Sequence, residues 1–172
     1  PFGNDGDFSK DAISNRINAD LSNNYGNLVQ RILTFIVKNC NSELNPSNNY
    51  VIDDIKIIKN LKIKFDEYKT FMNDQKIDKA IKSIMELLSL TNAYVDEQAP
   101  WKLKKIDKER MQLVLFIISN IIIKSTIMLF PIIPSSAQKV LSFFNMDIKN
   151  ESFDRFDKFL DKKIKIQSPI PI

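Results

Sequence analysis

Trp101 is the only tryptophan in the chain, and it directly follows Pro100 in the segment Asn92-Ala93-Tyr94-Val95-Asp96-Glu97-Gln98-Ala99-Pro100-Trp101. Proline breaks a running helix and restricts the residue before it, so the indole is expected at a helix end. Lys102, Lys104 and Lys105 follow at once. A large π-face beside cations that can hold phosphates suits the stacking of an unpaired nucleic-acid base. The competing reading is plainer: tryptophan buries well, and Trp101 would plug a core between helices.

A second set of polar residues falls at four-residue intervals, Asn23, Asn27 and Arg31. At about 100° per residue, successive members drift by only about 40°, so the three share one helix face. A guanidinium can donate two parallel hydrogen bonds to the O2 and N3 acceptors of an unpaired cytosine, and an amide can match an adenine edge. The alternative here is a solvated helix face in an Asn-rich chain.

Other chemistries are excluded or unsupported. The chain has no histidine, which removes histidine acid–base catalysis, Ser-His and Cys-His nucleophiles, and the commonest metal ligand. One cysteine, Cys40, cannot form an internal disulfide and fits a reducing compartment such as the cytoplasm. With one Cys and no His, a structural zinc site is not available. The acidic pairs Asp53-Asp54, Asp66-Glu67 and Asp96-Glu97 are adjacent in sequence, so on a helix their side chains diverge by about 100°. They read as surface or capping charges. Three glycines in 172 residues argue against a glycine-rich phosphate cradle and against a turn-rich β architecture. No catalytic residue and no metal ligand stands out, and a net charge of +4 is compatible with a nucleic-acid partner without identifying one.

The elements that must carry Trp101 and Arg31 are helices. Residues 1–8 read as a loop, and Ser9 is a suitable N-cap for a helical pattern reaching about Asn41, with Gly26 in its middle. The Asn- and Ser-rich stretch 39–49 is a loop. A second helix is expected over Val51–Met72, with Ile55, Ile58, Leu61, Phe65 and Tyr68 on one face. A third runs from Lys76 to Gln98, where Pro100 stops it. A fourth extends from about Asp107 to Phe130, and a fifth from Ser135 to about Asn145. Met111–Pro134 is strongly apolar, but Lys124 and several amides and hydroxyls interrupt it, so it reads as the inner helix of a bundle and not as a membrane span. The expectation is an all-α bundle of five or six helices over residues 9–146. A tail over 147–172 follows, a short helix and then an extended segment. The chain does not begin with methionine and reads as a piece of something longer.

Taken together, the opening Phe2-Gly3-Asn4-Asp5-Gly6-Asp7-Phe8-Ser9, Arg16-Ile17-Asn18-Ala19-Asp20-Leu21, Gly26-Asn27-Leu28, Asn92-Ala93-Tyr94, Glu97-Gln98-Ala99-Pro100-Trp101 and Phe130-Pro131-Ile132-Ile133-Pro134-Ser135 occur in one order. In that order they closely resemble the C-terminal half of methionyl-tRNA synthetase, a class I aminoacyl-tRNA synthetase. The resemblance implies the anticodon-binding helical bundle of the class Ia enzymes. It further implies that Trp101, preceded by Pro100, stacks the first base of a CAU anticodon. Asn27 and Arg31, with Asn23 one turn earlier, fall on that family's base-reading positions. The implied partners are the anticodon loop of tRNA(Met) and the chain's own catalytic domain, joined through residues 1–8. The family's His-Ile-Gly-His-type and Lys-Met-Ser-Lys-Ser-type motifs are absent. This piece would therefore hold no cofactor, ATP and methionine binding the catalytic domain. The rival reading is a helical protein-interaction domain with no RNA role.

Overall fold

The computed structural model describes residues 24–148 and 161–167. Six helices form among them: α1 (Asn27–Asn39), α2 (Ile52–Asn73), α3 (Ile77–Gln98), α4 (Pro100–Ile106), α5 (Lys108–Leu129) and α6 (Pro134–Phe143). Two short strands, β1 (Glu43–Leu44) and β2 (Ile164–Lys165), pair antiparallel, with Glu43 opposite Lys165 and Leu44 opposite Ile164. Among the described residues the fold is all-α apart from this clasp. The loop expected over 1–8, Ser9, Asn23 and the expected start of the first helix lie outside the described residues. Gly26 does not break the helical path: its backbone is right-handed helical (φ −61°, ψ −44°), and a wider π-type turn over 24–26 leads into α1.

Local chemistry sets the ends of the helices. Asp107 caps α5, its Oδ1 accepting the Arg110 N–H at 2.9 Å. Pro100 and Pro134 stand in the first turns of α4 and α6, where a missing N–H costs nothing. Between α2 and α3 the chain turns through Gln75, whose φ of 59° lets Lys76 N–H reach Phe71 O at 2.8 Å and Gln75 N–H reach Met72 O at 3.1 Å. That pair of bonds closes a helix of the Schellman type and lays α3 back along α2.

α5 is the centre of the bundle. From Leu113 through Leu129 every residue is buried, and α1, α2, α3, α4 and α6 all pack on it. It is long and apolar enough to cross a membrane by length and composition, yet 94% of its most apolar window is covered by its neighbours, as in a core helix. Several of its polar residues are satisfied locally, whereas Ser119 Oγ and Ser125 Oγ are buried without a hydrogen-bond partner among the described residues. Thr126 Oγ1 donates to Ile122 O at 2.6 Å and lies 2.8 Å from the Tyr25 hydroxyl, while Asn120 Nδ2 donates to Phe116 O at 2.9 Å. Lys124, only 4% exposed, sets its ammonium 5.8 Å from the centre of the Phe65 ring.

On α2 the structure departs from the expected face. The buried residues are Asp54, Ile57, Leu61, Phe65 and Tyr68, while Ile55 is 56% exposed. Ile57, four before Leu61 and eight before Phe65, sits on their stripe; Ile55 is rotated away from it.

The segment 161–167 docks on the bundle. Ile164 and Ile166 are buried, Ile166 N–H donates to Ser42 O at 2.9 Å, and Gln167 N–H donates to Phe143 O at 2.7 Å. The short helix expected earlier in the tail lies outside the described residues. Glu43 takes Lys163 at 2.9 Å and Lys165 at 3.3 Å. Those ion pairs are on the surface and worth little; the two isoleucines carry the clasp. Ile164→Ala is expected to lower stability by about 2–4 kcal/mol. Urea denaturation followed by circular dichroism measures it, and Lys163→Ala should move the midpoint far less.

Candidate nucleic-acid interface

The site is built around the corner where α3 gives way to α4. Gln98 is the last helical residue of α3, and Ala99 then adopts the left-handed conformation (φ 43°, ψ 64°). Its N–H still closes α3 onto Val95 O at 2.9 Å, while its carbonyl accepts Lys102 N–H at 2.8 Å and Leu103 N–H at 3.2 Å, opening α4. A left-handed alanine costs about 1–2 kcal/mol, because its Cβ crowds the following carbonyl. The bend it makes buries Ala99 and Pro100 and turns the next residue outward. Trp101 is 42% exposed, so the core-plug reading does not hold. Lys102, Lys104 and Lys105 are all exposed beyond it, and Leu103 anchors the short helix against the core.

Arg31 extends from α1 onto the exposed side of α3. Its Nη2 donates to Asn92 Oδ1 at 3.4 Å, and its Nη1 lies 3.7 Å from Asp96 Oδ1. Asn92 in turn donates from Nδ2 to Asn24 Oδ1 at 2.7 Å and to Leu88 O at 3.1 Å, and Asn24 Nδ2 donates to Ser89 Oγ at 3.3 Å. Ser89, Asn92 and Asp96 recur at three and four along α3, so one polar stripe runs toward the Trp101 corner. Asn27 is exposed one turn before Arg31 on α1. Asn23 lies outside the described residues. Sequence reasoning missed Asn24, Asn92 and Asp96, since nothing local marks Asn24 as the partner of a residue 68 positions away.

Beneath the corner lies a buried ion pair. Asp54 is fully buried and its carboxylate accepts four hydrogen bonds: from Arg110 Nη1 at 2.5 Å, Arg110 Nη2 at 2.8 Å, Val51 N–H at 3.0 Å and the Tyr94 hydroxyl. Arg110 Nη2 also donates to Gln98 Oε1 at 2.6 Å. Burial by itself raises the Asp54 carboxyl, but the bonds from Arg110, Tyr94 and Val51 outweigh it and hold the group below the ordinary carboxylate range. Burial and the adjacent carboxylate push Tyr94 well up, so its hydroxyl stays a donor. The expectation of a surface or capping charge is thus half corrected. Asp54 does cap α2, through Val51, but it is an interior residue shared by three helices. A sequence signal for this exists: Asp54 stands three before Ile57 and seven before Leu61, on the apolar stripe itself. Its neighbour Asp53 is half-exposed and pairs with Lys56 at 3.1 Å, as a surface charge would.

No group of three metal-ligating side chains gathers among the described residues. Cys40 is buried, and burial raises its thiol, which leaves it a poor nucleophile. What the surface offers is an exposed indole at a fixed corner, lysines after it, and a guanidinium beside amides on a neighbouring helix. Groups of these types are chemically able to stack and hydrogen-bond an unpaired base.

The architecture is that of a helical anticodon-binding bundle. Residues 46–163 match the family described as the anticodon binding domain of methionyl tRNA ligase, and the chain belongs to that family. It is 35% identical over 153 residues to a methionine--tRNA ligase of Brucella suis, covering 89% of this chain and 30% of that one. It is 37% identical over 155 residues to the methionine--tRNA ligase of Rickettsia conorii, covering 88% and 30%. The apo methionyl-tRNA synthetase of Mycobacterium tuberculosis superposes with a TM-score of 0.92 at 26% identity, over 99% of this chain and 35% of that one. The chain spans about 30% of the length of the curated relatives it matches.

A carboxyl held below its unfolded pKa stabilises the fold above that value, about 3.9 for aspartate, and the contribution is lost as pH falls through the folded value. Asp54→Asn is therefore expected to cost about 3 kcal/mol at neutral pH by leaving Arg110 without its counter-ion. It should also flatten the loss of stability below pH 4. Urea midpoints from pH 7 down to pH 2 test both; a variant with an unchanged acid limb would remove Asp54 as its source.

Proposed function

We propose that the chain reads the anticodon of tRNA(Met) for a methionine--tRNA ligase, recognising CAU in support of ATP-dependent methionylation in the cytoplasm. In this reading ATP and methionine bind a catalytic portion joined through residues 1–8, and this bundle contributes recognition alone. The observation that carries it is the exposure of Trp101 at a rigid corner, in a chain of the anticodon-binding family. The unstacked cytosine of the first anticodon position lies on the indole, and Arg31 and Asn27, with Asn23 before them, read base edges. Lys102, Lys104 and Lys105 hold the strand backbone.

The contacts Arg31 makes in the free chain suit that role. At 3.4 and 3.7 Å, with its side chain 40% exposed, they are weak and solvent-screened. Exposed pairs of this kind are worth about 0–1 kcal/mol, so exchanging them for two parallel bonds to a cytosine edge costs little. The Asp96 carboxylate beside the guanidinium disfavours a phosphate there more than it does a neutral base edge.

Base–aromatic stacking is worth roughly 1–3 kcal/mol, so Trp101→Ala is expected to weaken binding of an anticodon stem-loop by about 5- to 150-fold without unfolding the chain. Quenching of tryptophan fluorescence in the parent, and filter binding in the variant, measure it. Arg31→Gln should relax the preference for cytosine at the first position. A loss uniform across all anticodons would make Arg31 a phosphate ligand instead. Removing Lys104 and Lys105 together should flatten the dependence of log affinity on log salt by about 0.7 for each phosphate no longer neutralised.

A further inference from the structure

Trp101 is 42% exposed, so packing holds the ring only in part, and the backbone that carries it sets much of its direction. At Trp101 that backbone is the left-handed Ala99 and the proline after it, and the bend they make is fixed from several sides. Two walls of the corner are anchored independently. Asp107 N–H ends α4 on Leu103 O at 2.8 Å, and Asp107 Oδ1 starts α5 on Arg110 N–H at 2.9 Å. Arg110 is itself immobilised by its two bonds to the buried Asp54. The third wall is the end of α3, and there Gln98 Oε1 accepts a bond from Arg110 Nη2 at 2.6 Å. That bond joins residues 12 apart and closes the stretch Gln98–Arg110, with Trp101 inside it, into a ring.

Resting on the anticodon reading above, we propose that Gln98 is a positioning residue for Trp101. It ties the last turn of α3 to the Asp54–Arg110 pair and so fixes the direction in which the indole is presented. Gln98 touches no base itself. Its part is to spare the indole the ordering that stacking would otherwise demand at the moment of binding. Asp54 and Arg110 serve the same corner but also hold three helices together, so only Gln98, half-buried and bonded at one edge, separates positioning from folding.

Gln98→Met keeps the length of the side chain and removes its strong acceptor. Trp101 is the sole tryptophan, so fluorescence of the full 172-residue chain reports on this one ring. The variant is expected to lower the steady-state anisotropy of Trp101, leave the helical circular dichroism unchanged, and weaken binding of a CAU stem-loop by about five-fold, less than a full hydrogen bond to a charged group. In a Trp101→Ala background the same substitution should leave affinity unchanged, because there is no ring left to aim. A five-fold loss that persists without the indole would overturn the proposal, since Gln98 would then act elsewhere on the RNA surface. Unchanged affinity in Gln98→Met, with Trp101→Ala still damaging, would also overturn it while leaving the anticodon reading intact. If Trp101→Ala itself binds like the parent, the anticodon reading fails first and takes this inference with it.

Discussion

A carboxylate removed from water loses several kcal/mol of solvation, and Asp54 is removed completely. It is tolerated because a guanidinium, a phenol and a main-chain amide converge on it from three directions. Each donor belongs to a different stretch: Val51 at the start of α2, Tyr94 near the end of α3, and Arg110 at the start of α5. The ends of three helices are thereby fixed to one point, with angular tolerances set by hydrogen bonds. Apolar packing fills the space between helices with less directional control. The end of α3 is tied to the same point through the bond from Arg110 to Gln98.

This division of labour recurs across the molecule. The interior supplies rigidity: α5 is covered on every side, and Asn120 and Thr126 are satisfied by carbonyls a turn away or by Tyr25. At the α1–α3 surface the bonds of Arg31 to Asn92 and Asp96, at 3.4 and 3.7 Å, are long and partly exposed. Weak bonds at the rim can be traded for a ligand at little cost, whereas the buried bonds beneath cannot. The proposed anticodon reading calls for both, a scaffold that does not yield and groups on it that are easily released.

Much of this is legible in the chain without any coordinates. Helical periodicity locates α2, α3, α5 and α6 to within a residue or two, because Pro100, Pro134 and the Asn-rich loop mark their limits. Lys124, with the amides and hydroxyls scattered through the same apolar run, marks α5 as the inner helix of a bundle. Type and spacing make Trp101 and Arg31 candidates only; the resemblance to methionyl-tRNA synthetase is what favours them over a core plug and a solvated helix face. The errors have one origin. Giving Ile55 to the core and Asp54 to the surface lets residue type outvote the stripe defined by Ile57, Leu61, Phe65 and Tyr68. Hydropathy describes a side chain's preference for water in isolation, and Asp54 has partners that override it.

Local sequence settled what is local: where the long helices end, that α3 stops before Pro100, and which residue types are present to stack or donate; the short α4 was not expected. Pairings between distant segments were decided only by the folded chain. These include Asp54 with Arg110 across 56 positions, Arg31 with Asn92 across 61, and β1 with a strand at residues 164–165. Such pairings leave no periodic trace, because each depends on the packing of helices that are not neighbours in sequence. Whether the indole faced solvent or the interior was of the same kind. It goes with the left-handed backbone of Ala99, a conformation that no local pattern announces.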